Sequence, residues 1–247
     1  MTTTIDLTMP IYEGMPGHPF HGRTPIFLSG TLNHQMYQFM ERRNPYSNEK
    51  ISFANEQIVL CGHTGTHMDA PSHAVSGAAD SIDHLALERG YGPALRLDVT
   101  ERFGPRAEIT AADLAAAEAR SGDRIRPGDI VLIWTGWATH AFARTAEYLD
   151  QHMGLTRDAA DWLRERRPAT VGVDLSTPET IGGAHGSPVH TNFLRPQALG
   201  LPPSDYIAII ENLVNLDRIP TSRFTFVGAP LPFRGQTGSP IRAFAVV

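Results

Sequence analysis

Residues 61–73 read CGHTGTHMDAPSH and concentrate more metal-binding chemistry than any other short stretch of the chain. Glycine at position 65 and proline at position 71 favour a bend from a strand into a loop, although two histidines four residues apart could also share one face of a helix. Imidazole and carboxylate together suit Zn²⁺, Mn²⁺ or Fe²⁺, and side chains in a bend can converge on one ion. The candidate ligands are His63, His67, Asp69 and His73. The alternative interpretation is that these four are polar residues of a surface loop.

Strand-like and helix-like patterns extend on both sides of this segment. Apolar runs predict strands at 56–60, 94–99, 129–134, 170–175, 206–210, 224–228 and 241–247. One helix begins after Thr110, with Asp113 as its capping-box acid, and runs to Gly122. A second helix begins near Thr156 and ends before Pro168. More strands than helices predict an α/β fold with a mixed sheet that is covered on one side.

The size and composition of the chain fit one soluble globular domain. It has 247 residues, of which 41% are hydrophobic and 19% charged, so a core can form without disulfides. The single cysteine, Cys61, excludes an intramolecular disulfide and fits a reducing compartment. No apolar run has the length of a membrane span, and the start shows no signal-peptide pattern. We therefore expect a cytoplasmic protein that does not bind membranes.

Charge and motifs argue against several classes of function. The net charge is −5 and basic residues are scattered, whereas a protein that binds duplex nucleic acid presents a basic face. The chain contains no G-x-S-x-G, G-x-G-x-x-G or P-loop pattern, which disfavours a serine hydrolase and nucleotide-dependent chemistry. The segment 30–50 is polar and rich in turn residues, and we interpret it as a lid or long loop.

The segment HTGTHMDAPSH resembles the H-x-G-T-H-x-D-x-P-x-H signature of the putative cyclase family of metal-dependent hydrolases, which includes bacterial kynurenine formamidases and isatin hydrolases. Three further stretches resemble the family in the same order: VGVDLSTPET at 171–180, IIENLVNLD at 209–217 and GSPIRAFAVV at 238–247. Together the four stretches span most of the chain. The resemblance implies an α/β fold of the swivelling β/β/α type, with a mixed sheet in a single domain over residues 1–247.

The resemblance also implies the composition of the site. It implies a general acid/base role, rather than a ligand role, for His73. The cofactor that it implies is a divalent metal, Zn²⁺ or Mn²⁺, as one or two ions. The metal ligands that it implies from the first motif and from a later strand are His63, His67, Asp69 and Glu211.

Two further positions carry open interpretations. His190 matches a histidine ligand of the binuclear family members, and His185 is its rival for that role. Asp174 ends a strand that reads as buried, where a carboxylate could orient a ligand histidine or form a turn.

One departure from the family concerns the substrate. Members with formamidase activity carry a tryptophan in an early W-P-G-like segment, whereas this chain reads GMPGHPFHG at 14–22. Because a stacking partner for an aromatic substrate is missing there, we predict poor activity on N-formylkynurenine. Our candidates for substrate binding are His18, Phe20 and Tyr37, although core packing explains the two aromatic residues equally well.

The leading hypothesis is a metal-dependent hydrolase that cleaves a small amide, a cyclic amide of the isatin type or a related carbonyl substrate by metal-activated water. A lactone hydrolase, or a cyclase or dehydratase that uses the same metal, is the alternative among enzymes. A metal- or ligand-binding protein without turnover is the alternative outside enzymes. The family resemblance further implies a homodimer or homotetramer.

Overall fold

A mixed sheet forms the centre of the molecule. The computed structural model describes residues 2–16, 26–32, 46, 53–77, 80–180 and 186–247. Within those residues one sheet has nine strands, and two further pairs of strands stand apart from it. In chain order the strands are β1 (Thr4–Asp6), β2 (Phe27–Leu32), β3 (Asn55–Val59), β4 (His67–Asp69), β5 (Tyr91–Asp98), β6 (Glu108–Ile109), β7 (Ile130–Trp134), β8 (Gly154–Leu155), β9 (Thr170–Val173), β10 (Ala208–Glu211), β11 (Arg223–Val227), β12 (Gly238–Pro240) and β13 (Phe244–Val246).

The order of strands in the large sheet is β1-β13-β11-β5-β7-β9-β10-β4-β12. The central strands β5, β7, β9 and β10 run parallel, and the outer strands pair antiparallel. The separate pairs are β2 with β3 and β6 with β8. Every predicted strand overlaps an observed one, which confirms the mixed α/β class.

Five α-helices in the described part of the chain connect these strands. They are α1 (Ala111–Ser121), α2 (Trp137–Ala141), α3 (Thr145–Asp150), α4 (Arg157–Glu165) and α5 (Pro188–Leu194). The predicted capping box of α1 is present, because Thr110 and Asp113 bond each other's backbone N–H groups. Thr156 caps α4 by accepting the N–H of Ala159.

Both faces of the sheet are buried, which corrects the expectation of a sheet covered on one side. The five α-helices of the described residues lie on one face, where Val131 and Ile133 of β7 join their core. The alternate residues of the same strand, Ile130 and Leu132, belong to a second core built from strands and loops. Because the sheet curls, its strands and loops enclose the second face. The prediction of a single covered face was therefore wrong, although the five described α-helices occupy one face only.

The pairing of β4 with β10 creates the candidate site. In the antiparallel register Glu211 lies opposite His67, and Ile209 lies opposite Asp69. Because successive strand residues alternate faces, Met68 enters the second core while its two neighbours project toward the helices. The carboxyl end of the parallel strands therefore carries three polar side chains on one face.

Several predictions fall outside the described residues. They concern most of the 30–50 segment, and the side chains of His18, Phe20, Tyr37 and His185. Within the part of the chain that the structure describes, no helix combines the length and apolar character needed to cross a membrane.

Candidate metal centre

His67 is held so that one ring nitrogen faces two carboxylates. Its Nδ1–H donates to the carbonyl oxygen of Gly65 at 2.9 Å, which leaves Nε2 as the nitrogen that faces the site. That Nε2 atom lies 3.3 Å from Asp69 Oδ1 and 3.3 Å from Glu211 Oε2. A lone pair that faces two carboxylate oxygens is repelled unless a proton or a metal ion lies among the three atoms.

His63 reaches the same carboxylate from the preceding bend. Its Nδ1 atom is 2.6 Å from Asp69 Oδ1, and its Nε2 atom is 2.9 Å from the hydroxyl of Thr237. The ring lies directly on Gly238, where an added Cβ would come within 2.6 Å of the His63 Cε1 atom. Gly238, the first residue of the G-S-P stretch, is therefore required as glycine, because any larger residue would collide with this imidazole.

His190 enters the site from α5. The sequence had left open whether His190 or His185 fills this position, and His185 lies outside the described residues. Its ring Nδ1 and its backbone N–H both bond the Glu179 carboxylate, at 2.8 Å to Oε2 and 2.7 Å to Oε1 respectively. The opposite ring nitrogen, Nε2, lies 3.5 Å from Asp69 Oδ2 and 3.6 Å from Glu211 Oε1. Glu179 thus turns Nε2 of His190 toward the same two carboxylates. Burial works to lower the pKa of His190, but the negative charge of Glu179 holds that pKa well above its usual value, so a metal ion would replace a proton at Nε2.

The atoms that converge here fit a metal ion. Among the residues that the structure describes, none places a donor in hydrogen-bonding geometry on His67 Nε2 or on either oxygen of Asp69, and all three atoms are buried. Buried polar atoms without such partners are rare in folded proteins and call for an ion or water. One candidate ligand group is His67, Asp69 and Glu211; the other is His63, Asp69 and His73. Nitrogen and carboxylate donors suit Zn²⁺ and Mn²⁺.

The two carboxylates influence each other's protonation. Burial works to raise the pKa of Asp69, but the imidazoles of His63 and His67 hold that pKa well below its usual value. Burial and the negative charge of Asp69 raise the pKa of Glu211 well above its usual value. Without a cation, therefore, the pair retains a proton; a divalent ion would replace it.

His73 lies beside these groups on a short helical turn, Pro71–His73. Its ring centre is 4.1 Å from that of His63 and 5.6 Å from that of His190. Burial and the neighbouring imidazoles lower the pKa of His73 to about 4, against the opposing effect of Asp69. The imidazole is therefore neutral near pH 7 and able to accept a proton.

The sequence missed two of the groups that support the site. Glu179 lies within the stretch 171–180, where Asp174 drew attention because it ends the strand. The hydrogen bonds of Asp174 instead come from Thr135 and Gly136, so it joins the ends of β7 and β9 and orients no described histidine. Thr237 was also missed, and no sequence pattern relates it to His63.

Comparisons with known proteins identify relatives of the chain. The family model described as "Putative cyclase" matches residues 5–180. An isatin hydrolase from Roseibium aggregatum is 30% identical over 94% of this chain and 88% of that protein. A kynurenine formamidase from Geobacillus thermodenitrificans is 27% identical over 98% of this chain and 97% of that protein. The solved structure of isatin hydrolase A from Ralstonia solanacearum superposes with a TM-score of 0.78 and 26% identity, covering 100% of this chain and 92% of that one.

Proposed function

The chain belongs to the Cyclase family, and from that membership we propose that it is a metal-dependent hydrolase of C–N bonds other than peptide bonds. The similar proteins named isatin hydrolase and kynurenine formamidase support this reaction class. A small cyclic amide of the isatin type is the substrate class that we propose first. The early segment 14–22 contains no tryptophan, which makes N-formylkynurenine the poorer candidate.

One observation carries the proposal. Two imidazole nitrogens whose orientation is fixed by hydrogen bonds face the oxygens of Asp69 and Glu211 in a buried site. A structural cluster of this kind would use its own N–H donors on the carboxylates, as buried polar groups normally do. Here Nδ1 of each ring bonds outward, to Gly65 or to Glu179, and Nε2 of each ring faces the carboxylate oxygens at 3.3 to 3.6 Å.

We propose His63, His67, Asp69, Glu211 and His190 as the residues that hold one or two ions of Zn²⁺ or Mn²⁺. A divalent cation held there would act as a Lewis acid on a carbonyl oxygen and would lower the pKa of bound water to ~7. Glu179 keeps the His190 ring oriented, and Thr237 bonds the ring of His63. His73, neutral near pH 7, takes a proton at its imidazole and returns it to the leaving nitrogen.

The test is a measurement of metal content followed by a substrate screen. Metal-free protein is reloaded with Zn²⁺ or Mn²⁺ separately and assayed on isatins, formylanilines and small lactones. We expect metal-dependent ring opening of isatins, with weaker turnover of formylanilines. Turnover of lactones alone would replace the proposal with a lactone hydrolase, and metal binding without turnover of any of these would contradict an enzymatic C–N hydrolase.

We further propose that the chain assembles as a homodimer or homotetramer. Every residue of β3 is exposed, and its side chains include Ile58 at 62% and Val59 at 43% exposure. A two-stranded ribbon has marginal stability by itself, so a second copy that covers it would be favourable. Light scattering should then give two or four times the chain mass of 27.0 kDa, whereas the mass of a monomer would contradict the assembly.

A further inference from the structure

The strand pair that carries His67 and Glu211 ends its regular ladder at those two residues. In a continued antiparallel pairing Asn212 would lie opposite Thr66. Asn212 instead adopts a left-handed backbone conformation with φ of +59°. The Thr66 hydroxyl takes over the role of the missing ladder bond, because it donates to the carbonyl oxygen of Asn212 at 2.6 Å.

Asn212 is fixed at three separate points. Its N–H donates to the carbonyl oxygen of Leu175 at 2.8 Å, and its own carbonyl oxygen accepts the Thr66 hydroxyl. Its side-chain oxygen accepts the Tyr148 hydroxyl at 2.8 Å. A residue other than glycine keeps a left-handed conformation when such surroundings over-determine it, and these positions cluster at functional sites.

Tyr148 supplies the third of these bonds from α3. Its side chain is fully buried, and its backbone carbonyl oxygen accepts the indole N–H of Trp137 at 3.1 Å. Burial, with the negative charges of Asp174 and Glu211, raises the pKa of Tyr148 well above its usual value. The hydroxyl therefore stays protonated at all pH values at which the protein would work, and remains able to donate.

Thr66 is equally constrained. It is buried, its hydroxyl oxygen accepts the N–H of Met9 at 2.8 Å, and its carbonyl oxygen accepts the N–H of Ile241 at 3.0 Å. Thr66 directly precedes His67, and Asn212 directly follows Glu211. One hydroxyl thus joins the backbones of the two segments immediately beside two candidate ligands.

We infer that Thr66, Asn212 and Tyr148 form a clamp that sets the spacing of His67 and Glu211 for metal binding. The inference rests on the proposed metal-dependent function. All three are positioning residues, since they act on the ligands through the backbone and touch no ligand atom in the hydrogen bonds described. Groups that orient metal ligands typically change metal affinity by about 10- to 100-fold when they are removed.

Tyr148→Phe tests the clamp with the smallest change, because it removes one hydroxyl and keeps the buried ring. Metal-free protein is titrated with Zn²⁺ and with Mn²⁺, and the dissociation constants are compared with the wild-type values. We expect binding about 10-fold weaker or more. The matched control is Tyr206→Phe. Tyr206 is also buried, lies two residues before the start of β10 and so at the end away from Glu211, and packs under the Arg89 guanidinium. The control should lose comparable thermal stability and keep wild-type metal affinity.

Variants of Thr66 provide rescue by a conservative change. Thr66→Ser keeps the hydroxyl and should keep metal affinity, whereas Thr66→Val removes it and should weaken binding as Tyr148→Phe does. Should Thr66→Val fail to fold, the Tyr148→Phe and Tyr206→Phe pair decides alone. Wild-type affinity in Tyr148→Phe would overturn the clamp.

Glu211→Ala separates the clamp from the proposed function. If that variant binds metal normally, Glu211 is not a ligand and the proposed metal site is wrong. If Glu211→Ala loses the metal while Tyr148→Phe binds it normally, the site stands and the clamp is wrong. Loss of metal affinity in both, with the Tyr206→Phe control unaffected, supports both.

Discussion

Asp69 and Asp174 are both buried at the ends of strands of one sheet, yet their surroundings differ completely. Asp174 is 2% exposed and accepts three hydrogen bonds, from the Thr135 N–H and hydroxyl and from the Gly136 N–H. Asp69 is 1% exposed, and although His63 Nδ1 lies 2.6 Å from Oδ1, no described residue places a donor in hydrogen-bonding geometry on either of its oxygens. The protein itself satisfies Asp174, whereas Asp69 faces the ring nitrogens of three histidines.

The difference separates a structural carboxylate from one that awaits a ligand. A buried carboxylate without donors costs free energy that folding must offset elsewhere. Asp174 offsets part of that cost through its hydrogen bonds, which join the ends of two parallel strands. For Asp69 the missing interactions are those that a cation would supply, so burial alone does not identify a functional carboxylate; the direction of the surrounding donors does.

The largest expected effect concerns His73, which lies near Asp69 without being assigned as a ligand. We predict that His73→Ala lowers kcat by about 10²–10⁴-fold, because a proton shuttle is lost while the metal remains bound. Metal content by elemental analysis and steady-state kinetics on the substrate found in the screen check this. His84→Ala, at a histidine whose side chain is 63% exposed, is the control. A His73→Ala protein that purifies without metal would make His73 a ligand instead.

The second prediction uses the acidity of Asp174. Burial raises its pKa from 3.8 to about 6, against the lowering effect of its hydrogen bonds with Thr135 and Gly136. The folded chain therefore holds this proton more tightly than the unfolded chain, and the contribution to stability falls as the pH rises from about 4 to about 6. Linkage limits the loss to about 3 kcal/mol in the free energy of unfolding.

Asp174→Asn has no proton to lose in that range. Urea denaturation of metal-free protein measures the free energy of unfolding of wild type and of this variant. Between pH 4 and pH 6 the wild type should lose up to about 3 kcal/mol relative to the variant. The new amide also makes an unfavourable contact with the Gly136 N–H, which lowers the stability of the variant by the same amount at every pH. A difference that stays constant with pH would show that Asp174 is ionised without penalty.

The third prediction perturbs Asp69 through its neighbour His63. Gly238→Ala would place a Cβ 2.6 Å from His63 Cε1 and 3.0 Å from each ring nitrogen, so the ring must shift. We expect metal affinity about 10- to 100-fold weaker. Gly104→Ala, whose nearest neighbour would be the Ala107 Cβ at 3.9 Å, is the matched control. Equal affinities in the two variants would exclude His63 from the metal site.

Local sequence signals predicted one half of this site and not the other. His63, His67 and Asp69 lie within seven residues, and Glu211 ends an apolar strand where an acid requires a reason. The strands and two capped helices were predictable because periodicity and capping are local. The curl of the sheet, which buries its second face, depends on long-range pairing that no local pattern encodes.

The supporting residues could not be predicted because they act through tertiary contacts. Glu179 is eleven residues from His190, and Tyr148 is 64 residues from Asn212. Each looks unremarkable in the sequence: an acid after a proline and a tyrosine on a short helix. The prediction for Asp174 stayed open for the same reason, since its partner Thr135 follows a different strand, β7.

Thermal and urea unfolding with and without Zn²⁺ test the central claim most directly, on wild type, Asp69→Asn and Asp174→Asn. A ligand that binds only the folded state stabilises it by about 2.7 kcal/mol at 100 times its dissociation constant. We predict that gain for wild type and for Asp174→Asn, and none for Asp69→Asn at the same Zn²⁺ concentration. An Asp69→Asn protein that gains as much stability from Zn²⁺ as the wild type would contradict the account.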